Sequence, residues 1–173
     1  GRIEDLGASP YRRMHVWDGV SSGAITFDSA DLGEPDLGHI VENRAIQLAL
    51  WERLGQASDL TLLSPASIAD LERGPEGSRL VLGDGRILEA RLLVAADGRD
   101  SLIRELAGIP TQGWDYDQRA IVANVRPEQW HEETAWQRFL PTGPLALLPL
   151  RDGRCSIVWS ATEGRAEELL ALD

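Results

Sequence analysis

The sequence contains no lysine: all 17 of its cationic side chains are arginines, set against 28 Asp and Glu, for a formal charge of −11. A negative excess of this size repels phosphate backbones, and the arginines are scattered rather than grouped in a basic stripe, so nucleic acid is not expected as a partner. Cysteine occurs once, at Cys155. One thiol closes no internal disulfide and builds no multi-cysteine metal centre; it suits a reducing compartment, and the cytoplasm is the expected location. Long apolar runs are also missing. No stretch approaches the roughly eighteen apolar residues of a membrane-spanning helix. The opening "GRIEDLG" has neither the basic nor the apolar region of a signal peptide. The three histidines, His15, His39 and His131, lack metal-ligand spacing and read as surface or hydrogen-bonded side chains.

What is present suffices for a folded core: 43% of the 173 residues are apolar, and six are tryptophan. Residues 14–18 and 24–28 alternate apolar and polar around "GVSSG", which predicts a β-hairpin followed by an acidic loop over 29–38. From Asn43, an N-cap residue type, Ile46, Leu50 and Leu54 recur at helical spacing until Gly55. "DLTLL" at 59–63 reads as a short strand, and the stretch after it as a β-meander with a tight turn at Gly83-Asp84-Gly85, feeding an apolar strand over 92–96. Gly83-x-Gly85 is no dinucleotide fingerprint, because the third glycine and a following helix are lacking. Four strand candidates, 118–126, 134–141, 143–151 and 155–161, then predict an antiparallel sheet, with a helix from Glu163. Cys155, heading the last strand, is expected as an inert core thiol. The fold class is therefore α+β, in two interleaved pieces: 40–112, and a sheet built from 1–39 with 113–173.

The stretch "LLVAADGRDSLIREL" carries the most chemistry. Small residues at 95 and 96 allow close approach, Gly98 permits a sharp turn, and Asp100 or Ser101 caps a short helix that carries Arg104 in its first turn. A carboxylate, Asp97, and a guanidinium thus meet at the carboxyl end of a strand, where open α/β sheets bind nucleotides; the one suits ribose hydroxyls and the other pyrophosphate. Asp97 and Arg104 also fit a purely structural pair that fixes the turn.

"LLVAADGRDSLIR" resembles the Asp-Gly motif of the flavin-dependent aromatic hydroxylases of the p-hydroxybenzoate hydroxylase type, matching at Asp97, Gly98, Ser101 and Arg104. "LGHIVENRAIQLALWERL", "GPLALLPL" and "SIVWS" are similar to phrases of the ubiquinone-biosynthesis hydroxylases, and "YRRMHVWD" resembles their 2-polyprenylphenol 6-hydroxylase branch. The resemblance implies an FAD/NAD(P)-binding fold and an enzyme that hydroxylates a prenylated phenol with NAD(P)H and O2. It implies that Arg44 lies near the FAD pyrophosphate and Gln47 along its ribityl side, and that Asp97, Gly98 and Arg104 contact cofactor. Leu147, Pro149 and Trp159 would then line a hydrophobic substrate face.

The family's Gly-x-Gly-x-x-Gly loop and its later Gly-Asp motif are absent from the 173 residues, so the sequence reads as the middle portion of such an enzyme. The fragment alone is expected to be inactive, to hold FAD weakly, and to self-associate through 144–160; peripheral membrane or complex association stays open. With the oxygen chemistry carried by the cofactor, no catalytic residue is assigned. The competing reading is a non-enzymatic acidic α+β protein-interaction domain.

Overall fold

A computed structural model describes residues 1–172, which form two compact units: residues 1–58 with 115–172, and residues 59–114. The first unit contains α1 (Arg2–Gly7), β1 (Ser9–Tyr11), β2 (Arg13–Asp18), β3 (Ala24–Asp28), α2 (Ser29–Leu32), β4 (Gly38–Ile40) and α3 (Asn43–Gly55). The second holds β5 (Ile68–Gly74), β6 (Gly77–Leu82), β7 (Ile87–Ala90) and α4 (Leu102–Leu106). The chain then returns to the first with β8 (Gln118–Val125), β9 (Thr134–Leu140), β10 (Gly143–Pro149), β11 (Cys155–Thr162) and α5 (Glu163–Leu170).

The first unit is organised by a six-stranded sheet of order β3-β2-β9-β10-β11-β8. The β2–β3 hairpin forms where alternation placed it, and the four later strands pair antiparallel in the order β9-β10-β11-β8. The sheet is nevertheless not antiparallel throughout: β2 runs parallel to β9, with Arg13 opposite Thr134. A parallel neighbour needs a long crossover rather than a turn, and the segment between these strands includes the whole second unit. At the β9–β10 turn Gly143 has φ +133, and a Cβ there would overlap the carbonyl of Ser160 on β11. Only glycine lets three strands close together at that point. Ala161, Ala166 and Cys155 lie at the buried centre, and α5 packs on β8 and β11. Burial without a partner pushes the Cys155 thiol pKa up, as befits an inert core residue.

Four local expectations change. The loop over 29–38 contains a helical turn, α2, capped by Asp28, and ends in β4, which pairs with β1. Helix α3 begins one residue earlier than capping chemistry suggested, with Glu42 at the N-cap position. It buries Ala45 and Ala49 and leaves Leu50 and Leu54 exposed, because the small-residue face is the one that packs on α1, where Arg2 pairs with Glu52 at 2.6 Å. By packing, α3 thus groups with the first unit, whereas the sequence division places it with the Asp-Gly segment.

The second unit is a three-stranded meander, β5-β6-β7, whose last turn is the expected Gly83-Asp84-Gly85, closed by Gly85 N–H donating to Leu82 at 2.9 Å. Residues 59–63 and 92–96 are not strands: neither joins a backbone ladder among the described residues. Leu92 and Val94 are 78% and 74% exposed. Apolar pattern marked them as strands, but a strand exists only where a second strand accepts its hydrogen bonds.

Candidate functional site

The Asp-Gly turn is fixed by its own side chains. Asp97 accepts from Ser101 Oγ at 2.6 Å through Oδ1 and from the Ile103 N–H at 3.2 Å through Oδ2. Ser101, the N-cap of α4, in turn accepts from the Arg104 N–H at 3.0 Å. The Ser101 hydroxyl first, and the Ile103 amide second, hold the Asp97 carboxyl below its ordinary pKa. Gly98 sits at φ +89 with open space where a Cβ would be, so the backbone there is approachable. Arg104 shares a cleft of about 490 Å3 with Asp97, Gly98 and the apolar Leu71 and Ile103. No Asp97–Arg104 ion pair exists among the described residues; the partner that fixes the turn is Ser101. Asp97 keeps lone pairs for hydroxyl donors, and the cleft offers a cation beside it.

Arg44 and Gln47 stand one turn apart on the exposed side of α3, opposite the buried Ala45 and Ala49. A guanidinium and a carboxamide there can meet a phosphate and a hydroxyl chain.

On the six-stranded sheet, directly opposed residues share a face. Register places His15, Trp136, Leu147 and Ile157 in one row across β2, β9, β10 and β11, and Trp17, Arg138, Leu145 and Trp159 in the next. Leu147, Pro149 and Trp159 therefore lie on one face, as a substrate surface requires. Leu147 and Trp159 are half-buried and Pro149 is fully buried. The Trp159 indole N–H is buried without a hydrogen-bond partner.

Sequence reasoning missed the aromatic cluster at the β2 end of this face. His15 lies 5.5 Å from Trp17 and 5.4 Å from Trp136, and the two indoles meet edge to face at 6.2 Å. Alternation in β2 already put His15 and Trp17 on one side, but Trp136 joins them only through the parallel β2–β9 pairing. The other histidines are bonded as expected: His131 is buried against the Leu150 carbonyl at 2.9 Å, and His39 lies 3.6 Å from Asp36. No helix is long and apolar enough to cross a membrane among the described residues.

No family model matches the chain. It is 40% identical over 181 residues to "Ubiquinone biosynthesis monooxygenase COQ6, mitochondrial" of Danio rerio, covering 99% of this chain and 37% of that protein. It is 36% identical over 167 residues to "3-demethoxyubiquinol 3-hydroxylase" of Escherichia coli, covering 96% and 42%. With "Ubiquinone hydroxylase UbiL" of Rhodospirillum rubrum it shares 40% identity over 165 residues, covering 95% and 38%. The chain thus spans well under half the length of these curated relatives. Among solved structures, pqsL, a probable FAD-dependent monooxygenase from Pseudomonas aeruginosa, superposes with a TM-score of 0.80 at 20% identity, covering 98% of this chain and 47% of that one. Klebsiella pneumoniae HpxO complexed with FAD and uric acid gives 0.72 at 20% identity, covering 91% and 41%. At these identities the structures establish the fold, an α+β arrangement of the FAD monooxygenase type.

Proposed function

We propose, from the premise that the chain is a homologue of the ubiquinone-biosynthesis monooxygenases across nearly all its length, that it is part of an FAD-dependent hydroxylase acting on a prenylated phenol ring. The observation that carries the proposal is the coincidence of that relatedness with a self-braced Asp97–Ser101–Arg104 turn. Bound FAD supplies the redox chemistry that couples NAD(P)H to O2. The residues present fit such a group in each unit taken by itself: in one, an ionised Asp97 with lone pairs to spare, an open backbone at Gly98 and the Arg104 guanidinium; in the other, the Arg44 guanidinium beside Gln47. In this reading Arg44 and Arg104 meet phosphate, Gln47 and Asp97 meet hydroxyls, and the Leu147–Pro149–Trp159 face orients the substrate and excludes water. The relatives' names supply the substrate class, a ubiquinone precursor ring. For location, the single buried Cys155 supports a reducing compartment, which we read as cytoplasmic, while the COQ6 relatives carry "mitochondrial" in their names.

The test is FAD binding and substrate-dependent NAD(P)H oxidation by the longest reading frame containing this chain, alongside its Arg44→Ala variant. Losing a charge-assisted contact should weaken FAD binding roughly ten- to a hundredfold. Parental affinity in that variant, or absence of any flavin binding, would overturn the assignment. The 173 residues alone should bind FAD weakly, which equilibrium dialysis measures.

The interaction-domain reading draws support from Ile25, Phe27 and Phe139, large side chains 53%, 48% and 49% exposed. A light-scattering mass above the monomer's is expected on either reading, through 144–160 in the enzyme fragment; this reading is favoured instead by absence of any flavin binding in the longer protein. Peripheral attachment to a membrane or a biosynthetic complex would use the same apolar surface.

A further inference from the structure

We infer that the corner formed by His15, Trp17 and Trp136 is a binding pocket for a hydroxylated aromatic ring, the ring end of the substrate whose apolar part lies over Leu145 and Leu147. The inference rests on the reading of this sheet face as the substrate surface.

The pocket has a volume of about 330 Å3, ample for one substituted ring, and it is bounded by the β2–β3 turn. Trp17 and Trp136 stand at 81° to each other, and His15 lies against both. Two indoles at right angles offer a third ring one wall to stack on and one edge to abut, the two arrangements that aromatic quadrupoles favour.

The imidazole selects the substituent. His15 Nδ1 is tied to Thr26 Oγ1 at 2.7 Å, which fixes the ring plane and leaves Nε2 for a ligand. If Thr26 donates, Nε2 carries the proton and needs an acceptor; if Thr26 accepts, Nε2 needs a donor. A phenol hydroxyl serves either tautomer. A carboxylate or an ammonium serves one.

Charge at the rim points the same way. Asp18 borders the pocket and accepts from the N–H groups of Val20 and Ser21 at 2.6 and 2.9 Å. Those amides, Ser21 first, hold its pKa down and keep it ionised. Arg138, opposite Trp17 on the same face, donates to the Gly19 carbonyl at 3.3 Å, so the rim carries one charge of each sign and suits a neutral phenol.

The row containing His15 and Trp136 continues directly into Leu147 and Ile157, and the adjacent row from Trp17 runs through Arg138 to Leu145 and Trp159. An apolar chain on the ring can therefore lie across the strands without leaving the face.

The experiment titrates the 173-residue chain with 2-methoxyphenol, with cyclohexanol as the non-aromatic control, following indole N–H and His15 ring signals by NMR. Saturable shifts confined to Trp17, Trp136 and His15 are expected, with a Kd on the order of 1 mM for a single ring. Trp136→Leu should weaken binding by about tenfold through loss of the stacking wall. His15→Phe should weaken it roughly three- to tenfold through loss of one hydrogen bond. Ala24→Leu removes nothing from the cluster but fills the pocket mouth and should abolish the shifts, so the test survives a Trp136 variant that folds poorly. Equal response to cyclohexanol, shifts centred elsewhere, or an Ala24→Leu variant that binds within twofold of the parent would each overturn the inference. These outcomes do not touch FAD binding by the longer protein, so the two proposals fail separately.

Discussion

The two units solve the same problem with different means. In the first, every strand of the large sheet has a backbone partner, and its centre is dry: Ala161 and Ala166 are 0% exposed. In the second, three short strands pair among themselves while the apolar stretch leading into the Asp-Gly turn joins no ladder and leaves Leu92 and Val94 in water. The contrast teaches that apolar pattern reports what a segment is suited to bury, whereas partners decide whether it does. It also places the chemistry. The turn around Asp97 is braced by side chains because no ladder braces it.

The most severe way to break the contrast is a charge at the sheet's dry centre. Ala161→Asp should cost about 4 kcal/mol or more by burying an unpaired carboxylate, and should unfold the first unit in a urea titration followed by tryptophan near-UV dichroism. Next come two glycines with positive φ, one in each unit. Gly143→Ala meets both backbone strain and the Ser160 carbonyl and should lose about 3 kcal/mol, against about 1 kcal/mol for Gly98→Ala, where space is open. Similar losses at the two sites would show that packing does not separate the units as described.

Asp97→Ala removes both acceptors that hold the turn. Exchange of the Ile103 amide should accelerate by about tenfold while the sheet's amides keep their protection. Acid should do the same reversibly. Because the folded pKa of Asp97 is depressed below its ordinary 3.8, its contribution is present above that value and fades as pH falls through the lower, folded pKa. Loss of Ile103 protection already near pH 5 would contradict the bracing. The smallest effect is expected where the second unit is bare: Leu92→Ser should change stability by no more than about 0.5 kcal/mol in this chain, by thermal melting.

Much of this was legible in the sequence. The hairpin over 14–28, the later strands and the Ser101 cap followed from alternation and capping chemistry, which act over a few residues. The turn built by Asp97, Gly98 and Ser101 was legible because turn and cap residues carry their geometry in their identity. What stayed hidden depended on distant partners: the failure of 92–96 to become a strand, the choice of Ala45 and Ala49 over Leu50 and Leu54 as the packed face of α3, and the meeting of His15 with Trp136. A sequence pattern states a side chain's neighbours along the chain, and these three features turn on neighbours across it.

The parallel pairing of β2 with β9 sets an order of events in time. As the chain emerges during synthesis, the β2–β3 hairpin is complete long before the strand that must lie beside it exists, whereas the meander's three strands follow one another without delay. Contacts between distant segments form slowly because the intervening loop must close first. Pulse-labelled exchange during refolding should therefore protect Leu80 before Trp17, whose amide faces β9, and until β9 arrives the hairpin's edge is an open template on which a second molecule can add a strand.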